Sequence, residues 1–497
     1  MDWASGPEAP PAMTRVAIIG GGLSGLAAAA AAVEAGLDVD LFEARQRLGG
    51  RASSFVDPQS GDFVDYCQHV AMGCCTRWAD FCRLTGIDRF FQRHRRLWFL
   101  GPDGVAYGLS AWPLPAPFHL LPSLLGFRYL SWTERFSAVR AMAALAREDR
   151  PAQCRLAIGG GASGRDSRDA GPSEQTIGAW LRRRGQSERG IAWLWSVLFV
   201  SALGESLERA SVRAARQVLR EGFMASRRAY EIIIPTLSLA EIHDQHVAAW
   251  LAKRGVKVHR GRRVKLLEVE SGRATAVHFA DGVRGSFDYY IVAVPWHNLR
   301  RLFTPPVWEA LPELAGIEQI RAAPIAALHL WVDRPIMTLP HAALVGRLGQ
   351  WIFAKGARAT RPAVAGGSGP SVTAEVGVAD GRSSREHYYQ VVISAAYGVH
   401  PSARDQVLDQ VRGELESIWP VVRDARLVRS RLVVEPAAVF SVEPGVDFRR
   451  PPQATSLRNV MLAGDWTQTG WPATMESAVR SGYLAVEALL AARRRFP

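Results

Sequence analysis

Residues 15–25 read RVAIIGGGLSG. The first five form a short β-branched run, the pattern of a buried parallel strand. Gly20-Gly21-Gly22-Leu23-Ser24-Gly25 follows as a G-x-G-x-x-G turn, and an alanine-rich helix is predicted over 23–35. Gly36 stops that helix, and 37–42 (LDVDLF) supplies a second strand ending at Glu43. Each glycine has its own physical purpose. Gly20 permits the tight turn, Gly22 lets backbone approach a pyrophosphate, and Gly25 lets the helix pack closely on the strand. The helix start offers unpaired N–H groups and a positive dipole end to an anion. Glu43, eighteen residues after Gly25, is placed to accept from ribose hydroxyls and to repel a 2′-phosphate.

The residues after this unit favour FAD over NAD. Ala44-Arg45 leads to Leu48-Gly49-Gly50-Arg51, where a guanidinium beside two glycines reaches a pyrophosphate from its far side. More than 400 residues later, a strand at 459–463 (NVMLA) runs into Gly464-Asp465-Trp466-Thr467. A helix is predicted from the stretch 472–482 (PATMESAVRSG). Asp465 is read as an acceptor for ribityl hydroxyls, with N–H groups near Met475 facing a flavin's carbonyl edge. An extended dinucleotide needs such a distal second contact.

Composition bounds the alternatives. The 497 residues suggest about three structural units at ~150 residues each. A 48% apolar, 22% charged balance is that of a globular protein with a large core. The net charge of +13 is carried almost wholly by arginine, since only Lys253, Lys257, Lys265 and Lys355 are lysines. The arginines are dispersed and no recognition module accompanies them, so no nucleic-acid partner is expected. The cysteines, Cys67, Cys74, Cys75, Cys82 and Cys154, are odd in number and contain no C-x-x-C pair. No metal site or disulfide framework is expected, and a reducing, cytoplasmic compartment fits. The first twelve residues read as a leader without a signal-peptide core, with Met13 as a candidate start. No run of 18 apolar residues is free of charge and proline. The segment 112–132 is apolar and aromatic but interrupted by Pro113, Pro115, Pro117 and Pro122, with a short helix expected within 120–130. It is a candidate for peripheral contact with a membrane surface. The Gly/Ser/Pro-rich stretches 158–175 and 363–372 read as surface loops.

Together these residues resemble the FAD-dependent amine oxidase and phytoene desaturase superfamily. Within it the chain is most similar to the squalene-associated FAD-dependent desaturases, the hydroxysqualene dehydroxylases. The stretches TRVAIIGGGLSGLAAA, LFEARQRLGGRASSFVDPQSGDFVD, QHVAMGCCT, PLPAPFHLLPSLLGF, WIFAKG and NVMLAGDWTQTGWPATMESAVRSG carry the likeness and span nearly the whole length. The family usually has Asp-Asn-Gly before Gln-His, where this chain has Asp65-Tyr66-Cys67, so the flavin-facing backbone there is expected to differ.

The resemblance implies an α/β fold: an FAD/NAD(P)-binding Rossmann-like domain with an interleaved α+β substrate domain. The cofactor domain would use 13–70, 236–295 and 430–497, and the substrate domain 71–235 and 296–429. The implied cofactor set is Gly20, Gly22, Leu23, Ser24, Gly25, Glu43, Ala44, Arg45, Gly49, Gly50, Arg51, Gln68, Val264, Val294, Gly464, Asp465, Pro472 and Met475. Val264 would touch adenine through its backbone, and the Val294-Pro295 turn would lie near the cofactor.

The implied reaction is reductive removal of the hydroxyl of hydroxysqualene to give squalene. Protonated loss of water leaves an allylic cation, which takes a hydride from reduced flavin. His69 and Asp65 are the candidate catalytic residues, His69 as the acid. Trp351, Trp466 and Trp471 are the candidate aromatic lining. Glu476 is read as compensating a helix dipole. The implied partners are the isoprenoid substrate, a membrane surface from which it is drawn, and upstream squalene-pathway synthases. Three rivals are a carotenoid-type desaturase, an amine oxidase using Lys355, and a non-catalytic flavin-bearing scaffold.

Overall fold

The computed structural model describes residues 13–58, 60–147, 175–359 and 385–495. The leader 1–12, Cys154 and all of the two expected loops except Gln175 lie outside the described residues.

A five-stranded parallel sheet organises the nucleotide end. Its order is Lys257–Arg260, Asp38–Glu43, Arg15–Ile19, Tyr289–Val292 and Val460–Leu462. The sheet therefore assembles distant parts of the chain, as the interleaved reading requires. Val16, Ala17, Ile18, Tyr290, Ile291 and Val292 are fully buried, which accounts for their unbroken apolar run. Register brings the strand ends level: Ile19 pairs with Phe42 and Val292, and Val292 with Leu462. Gly20, Glu43, Ala293 and Ala463 consequently leave the sheet side by side at its carboxyl edge, where open α/β sheets bind ligands.

Helices Leu23–Glu34 and Met475–Arg495 pack against each other over this sheet. Alanines 27–30 are fully buried, because only a small side chain fits such close packing. Gly482 is the contact point: a Cβ there would stand 2.4 Å from the carbonyl oxygen of Ser24. The strands Val264–Glu270, Arg273–Phe279 and Arg284–Gly285 form a small antiparallel sheet beside it.

A seven-stranded sheet forms the second unit, in the order Leu427–Phe440, Ala322–Val332, Arg385–Ser394, Trp351–Ala359, His341–Leu344, Leu97–Leu100 and Ala106–Leu109. One face is apolar, and Leu328, Leu330, Ile352, Val391 and Ile393 pack with Val407, Val411 and Leu415 of helix Arg404–Ile418. The opposite face carries Trp351, Phe353, Lys355, Tyr388, Gln390, His329 and Trp331. Register sets Phe353 beside Gln390, Gln390 beside His329, and Tyr388 beside Trp331. Leu427–Phe440 pairs along Ala322–Val332 in this sheet. The third cofactor segment therefore begins after Phe440 rather than at 430, a correction to the sequence boundary.

Between 112 and 147 a 3-10 turn at Phe118–Leu120 leads into helix Leu121–Leu125, and helix Trp132–Arg147 follows. The expected helix in 120–130 is thus only five residues long, because the glycine at 126 closes it. Among the described residues no helix is long and apolar enough to cross a membrane.

Candidate active site

Two glycine turns meet at the carboxyl edge of the parallel sheet. Gly20 has φ +115°, and a Cβ there would stand 2.6 Å from the Ala293 carbonyl oxygen. At Gly25 a Cβ would lie 1.8 Å from the Gly20 carbonyl oxygen. No side chain fits at either, for different reasons: conformation at the first, helix-to-strand contact at the second. Gly49 N–H donates to the Gly21 carbonyl (2.8 Å), which draws the second turn against the first. Gly22 and Gly50 are only half-buried and face each other, a Cβ on Gly50 reaching 3.0 Å from the Gly22 Cα. No side chain caps the helix that starts at Leu23. Bare backbone from two loops and an uncapped helix end together fit a pyrophosphate.

Glu43 is buried, and its carboxylate already holds the turn. Oε2 accepts from Gly21 N–H (2.7 Å) and Oε1 from Arg45 N–H (2.8 Å). A carboxylate has about four lone-pair directions, so acceptor capacity remains for hydroxyls. The Ala44 and Arg45 side chains are exposed. Arg51 Nη2 donates to Asp465 Oδ1 (2.5 Å), and Nη1 to the Ala438 carbonyl (2.9 Å). The two side chains expected to reach the cofactor from opposite ends of the chain are thus paired with each other. Ser481 Oγ accepts from Gly464 N–H, and Ser477 Oγ donates to the Asp465 carbonyl. Buried Arg450 donates to the Asp465 and Thr467 carbonyls. Nothing in the sequence separated Arg450 from the other arginines.

Val264 is buried in its strand, and the Val294 carbonyl accepts from Trp466 Nε1 (3.0 Å). Trp466 is thereby a buried strut, which corrects its expected place in a substrate lining. Trp471 is half-buried under the Arg480 guanidinium. Pro472 is buried and Met475 opens the C-terminal helix. Glu476 does not act on its own helix alone. It accepts from Arg77 N–H (3.2 Å) and Trp78 N–H (2.8 Å), capping helix Thr76–Thr85.

The loop 65–69 crosses from the nucleotide end to the polar face of the large sheet. Asp65 Oδ1 accepts from Ser54 Oγ (2.7 Å) and Leu239 N–H (2.9 Å), so this carboxylate ties a hairpin to a helix start. Its Oδ2 lies 3.7 Å from Lys355 Nζ, and Lys355 Nζ donates to Gln68 Oε1 (2.8 Å). His69 Nδ1 lies 3.0 Å from the Cys67 carbonyl. A carbonyl only accepts, so the ring proton is on Nδ1 and Nε2 is a bare acceptor. Desolvation by burial pushes the His69 pKa below its ordinary value, and the charges of Arg51 and Lys355 push it the same way. Burial also raises the Cys67 thiol to about 12, so it stays protonated. Arg47 stacks on the Tyr66 ring at 4.8 Å, so the Tyr66-Cys67 departure leaves a packed turn.

Trp351 and Phe353 stack at 5.8 Å on the same face as Lys355. Trp351 Nε1 donates to Ser201 Oγ (2.9 Å). An aromatic strip thus ends in an ammonium beside the cofactor loops. Next to it, a cavity of about 300 Å³ is lined by Asp65, His94, Glu241, Phe353 and Lys355 among others.

Residues 23–490 match the flavin containing amine oxidoreductase family, and the chain belongs to it. Its cofactor is FAD. It is 27% identical to the hydroxysqualene dehydroxylase of Rhodopseudomonas palustris, over 96% of this chain and 99% of that protein. It is 25% identical to a probable zeta-carotene desaturase of Synechococcus elongatus, again over 96% and 99%. Among solved structures, an oxidoreductase from Methanosarcina mazei superposes with a TM-score of 0.64 at 16% identity, covering 95% of this chain and 100% of that one. These likenesses make the chain a flavin-dependent oxidoreductase with an α/β, Rossmann-type fold.

Proposed function

We propose that this protein is a hydroxysqualene dehydroxylase, reducing an allylic isoprenoid alcohol to the hydrocarbon. In this reading the pyrophosphate of FAD rests on backbone at Gly20, Gly22, Leu23, Ser24, Gly25, Gly49 and Gly50. Glu43, with the Ala44-Arg45 turn, receives the ribose, and Val264 backs the adenine. Arg51, Gln68, Val294, Gly464, Asp465, Pro472 and Met475 border the remainder. Reduced flavin supplies the hydride. The chain must do the rest: bind an apolar chain, exclude water and protonate a hydroxyl.

One observation carries the choice among reactions: the aromatic strip of Trp351 and Phe353 ends at a half-buried ammonium, Lys355. Ring faces stabilise an allylic cation without trapping it. Loss of hydroxide from carbon requires a proton, which a desaturase does not need. His69, neutral with a bare Nε2, serves as an acceptor that orients the alcohol, and Asp65 anchors the loop.

The side chains of Trp112, Leu114, Phe118, Trp132 and Phe136 are exposed, and Trp132 stacks with Phe136. These exposed apolar side chains support docking on lipid, since an apolar substrate strongly prefers bilayer to water at ~0.8 kcal/mol per buried CH₂.

The test is a single turnover. Holoenzyme reduced without oxygen is mixed with hydroxysqualene. Flavin reoxidation with one squalene per flavin is expected. Flavin that stays reduced, or oxidised flavin that instead desaturates a carotene precursor, overturns the reading.

A further inference from the structure

Between strand Val460–Leu462 and helix Met475–Arg495 the chain has no regular structure, so its backbone polar groups need partners from elsewhere. Arg450 supplies them from inside the protein. It is 3% exposed, and among the described residues four of its five hydrogen bonds end on this connection. Nε donates to the Thr467 carbonyl (2.9 Å). Nη2 donates to the carbonyls of Thr467 (2.5 Å) and Asp465 (3.0 Å) and to Thr469 Oγ1 (3.0 Å). Nη1 meets a carboxylate, Asp447 Oδ1 (2.9 Å), which is partly exposed and shared with Arg213. Taking a guanidinium out of water is costly unless acceptors replace the water. Here most of those acceptors are the oxygens of one connection, met by a planar fork that the single nitrogen of a lysine cannot copy. The clamp extends through side chains. Thr469 Oγ1 lies 2.6 Å from Ser477 Oγ in the first turn of helix Met475–Arg495, and Ser477 Oγ donates to the Asp465 carbonyl. Asp465 therefore gives its backbone to Arg450 and Ser477 and its side chain to Arg51.

Resting on the reading that Gly464, Asp465 and Met475 border the flavin half of FAD, we propose that Arg450 is the positioning residue for that half of the site. It ties the carbonyls of Asp465 and Thr467, and through Thr469 and Ser477 the start of the C-terminal helix, into one rigid piece. The Asp465 side chain and the helix start then meet the cofactor in a fixed arrangement, with no ordering left to be done when it binds. The pyrophosphate half is built separately. None of the partners of Arg450 belongs to the turns at Gly20–Gly25 and Gly49–Gly50 or to Glu43, and Arg51 is joined to it only by way of Asp465. Loss of Arg450 is therefore selective: it loosens the grip on the flavin and ribityl end and leaves the grip on the adenylate end intact.

The test compares full-length wild type with Arg450→Met, Arg450→Lys and a control, Arg135→Met. Arg135 is also a buried arginine that clamps backbone, donating to the Leu125 and Leu130 carbonyls (both 2.8 Å), but it lies in the other unit of the fold. The readouts are the fluorescence of flavin on the holoprotein, urea midpoints, and the affinities of flavin-stripped protein for FAD and for ADP, which carries only the adenylate and pyrophosphate end. Arg450→Met is expected to weaken FAD at least about tenfold, the scale of one lost bond to a charged donor, while ADP stays within about twofold of wild type. Its bound flavin is expected to fluoresce more strongly, because the ring is held less firmly. Arg450→Lys, which keeps the charge but not the fork, is expected to fall between. Arg135→Met is expected to lower the urea midpoint and leave the ratio of FAD to ADP affinity unchanged. An Arg450→Met protein that binds FAD as wild type does, or that loses FAD and ADP to the same extent, overturns the assignment. Where Arg450→Met does not fold, Arg450→Lys decides, and a wild-type ratio of FAD to ADP affinity in that variant overturns it equally. Wild-type protein that binds ADP as tightly as FAD overturns the underlying placement of the flavin half, which is a separate outcome.

Discussion

Adding one methyl group at Gly25 is expected to disable the nucleotide site. The Gly25→Ala Cβ would sit 1.8 Å from the Gly20 carbonyl oxygen, where ordinary carbon–oxygen contact is about 3.3 Å. The obstacle is backbone, so no rotamer change relieves it. The start of helix Leu23–Glu34 must withdraw from the strand end by roughly 1.5 Å, the difference between those separations. Overpacking of this kind costs about 1–3 kcal/mol. It also moves the N–H groups that the reading assigns to the pyrophosphate. If about 2 kcal/mol of that loss appears in binding, FAD affinity falls roughly thirtyfold. The control is Gly413→Ala in helix Arg404–Ile418, where the new Cβ meets no heavy atom within 4 Å. That variant is expected to gain up to ~1 kcal/mol from helix propensity. Both are measured by flavin content after gel filtration and by thermal unfolding with and without FAD. A Gly25→Ala protein that retains full flavin and melts with wild type refutes the close-packing argument.

Acid is expected to destabilise the fold through buried neutral histidines. Desolvation lowers His243 and His341 to about 4 and His329 to about 3, from an ordinary value of 6.5. The unfolded chain therefore takes these protons first. Stability is unaffected above pH 6.5 and falls as pH drops toward 4, by about 2 kcal/mol per histidine at pH 5. Urea midpoints at neutral pH and at pH 5 check this, and equal midpoints contradict it. Glu476→Gln keeps the shape but removes the charge that caps helix Thr76–Thr85 and pairs with Arg480, for an expected loss of about 1–2 kcal/mol in denaturant unfolding. Cys67, with its thiol raised to about 12, is expected to resist alkylation at mildly alkaline pH until the protein is unfolded. Peptide mapping that finds it modified in the native state contradicts that.

The nucleotide end was legible because its instructions are local. Strand, glycine turn, alanine helix and acidic strand end follow one another within 29 residues, and Gly20 and Gly25 answer backbone requirements. The Gly464-Asp465 return was legible for the same reason. Side-chain pairings across the fold were not. Arg51 and Asp465 are 414 residues apart, and Lys355 and Gln68 are 287 apart. Each residue looked like an independent contact until the sheets brought them together. Asp65 carries acid chemistry in isolation, yet its bond to the Leu239 N–H, 174 residues away, is invisible in the sequence. The boundary drawn at 430 falls inside the strand Leu427–Phe440, because nothing local in that stretch names the sheet it joins.

The central claim is that two ends of one chain close around a dinucleotide. Flavin-stripped protein titrated with FAD, and in parallel with FMN, tests it most directly through quenching of flavin fluorescence. One FAD per chain is expected, with FMN far weaker, because FMN lacks the pyrophosphate and adenylate that the glycine turns and Glu43 would hold. No saturable FAD binding, or FMN binding as tightly as FAD, would contradict it.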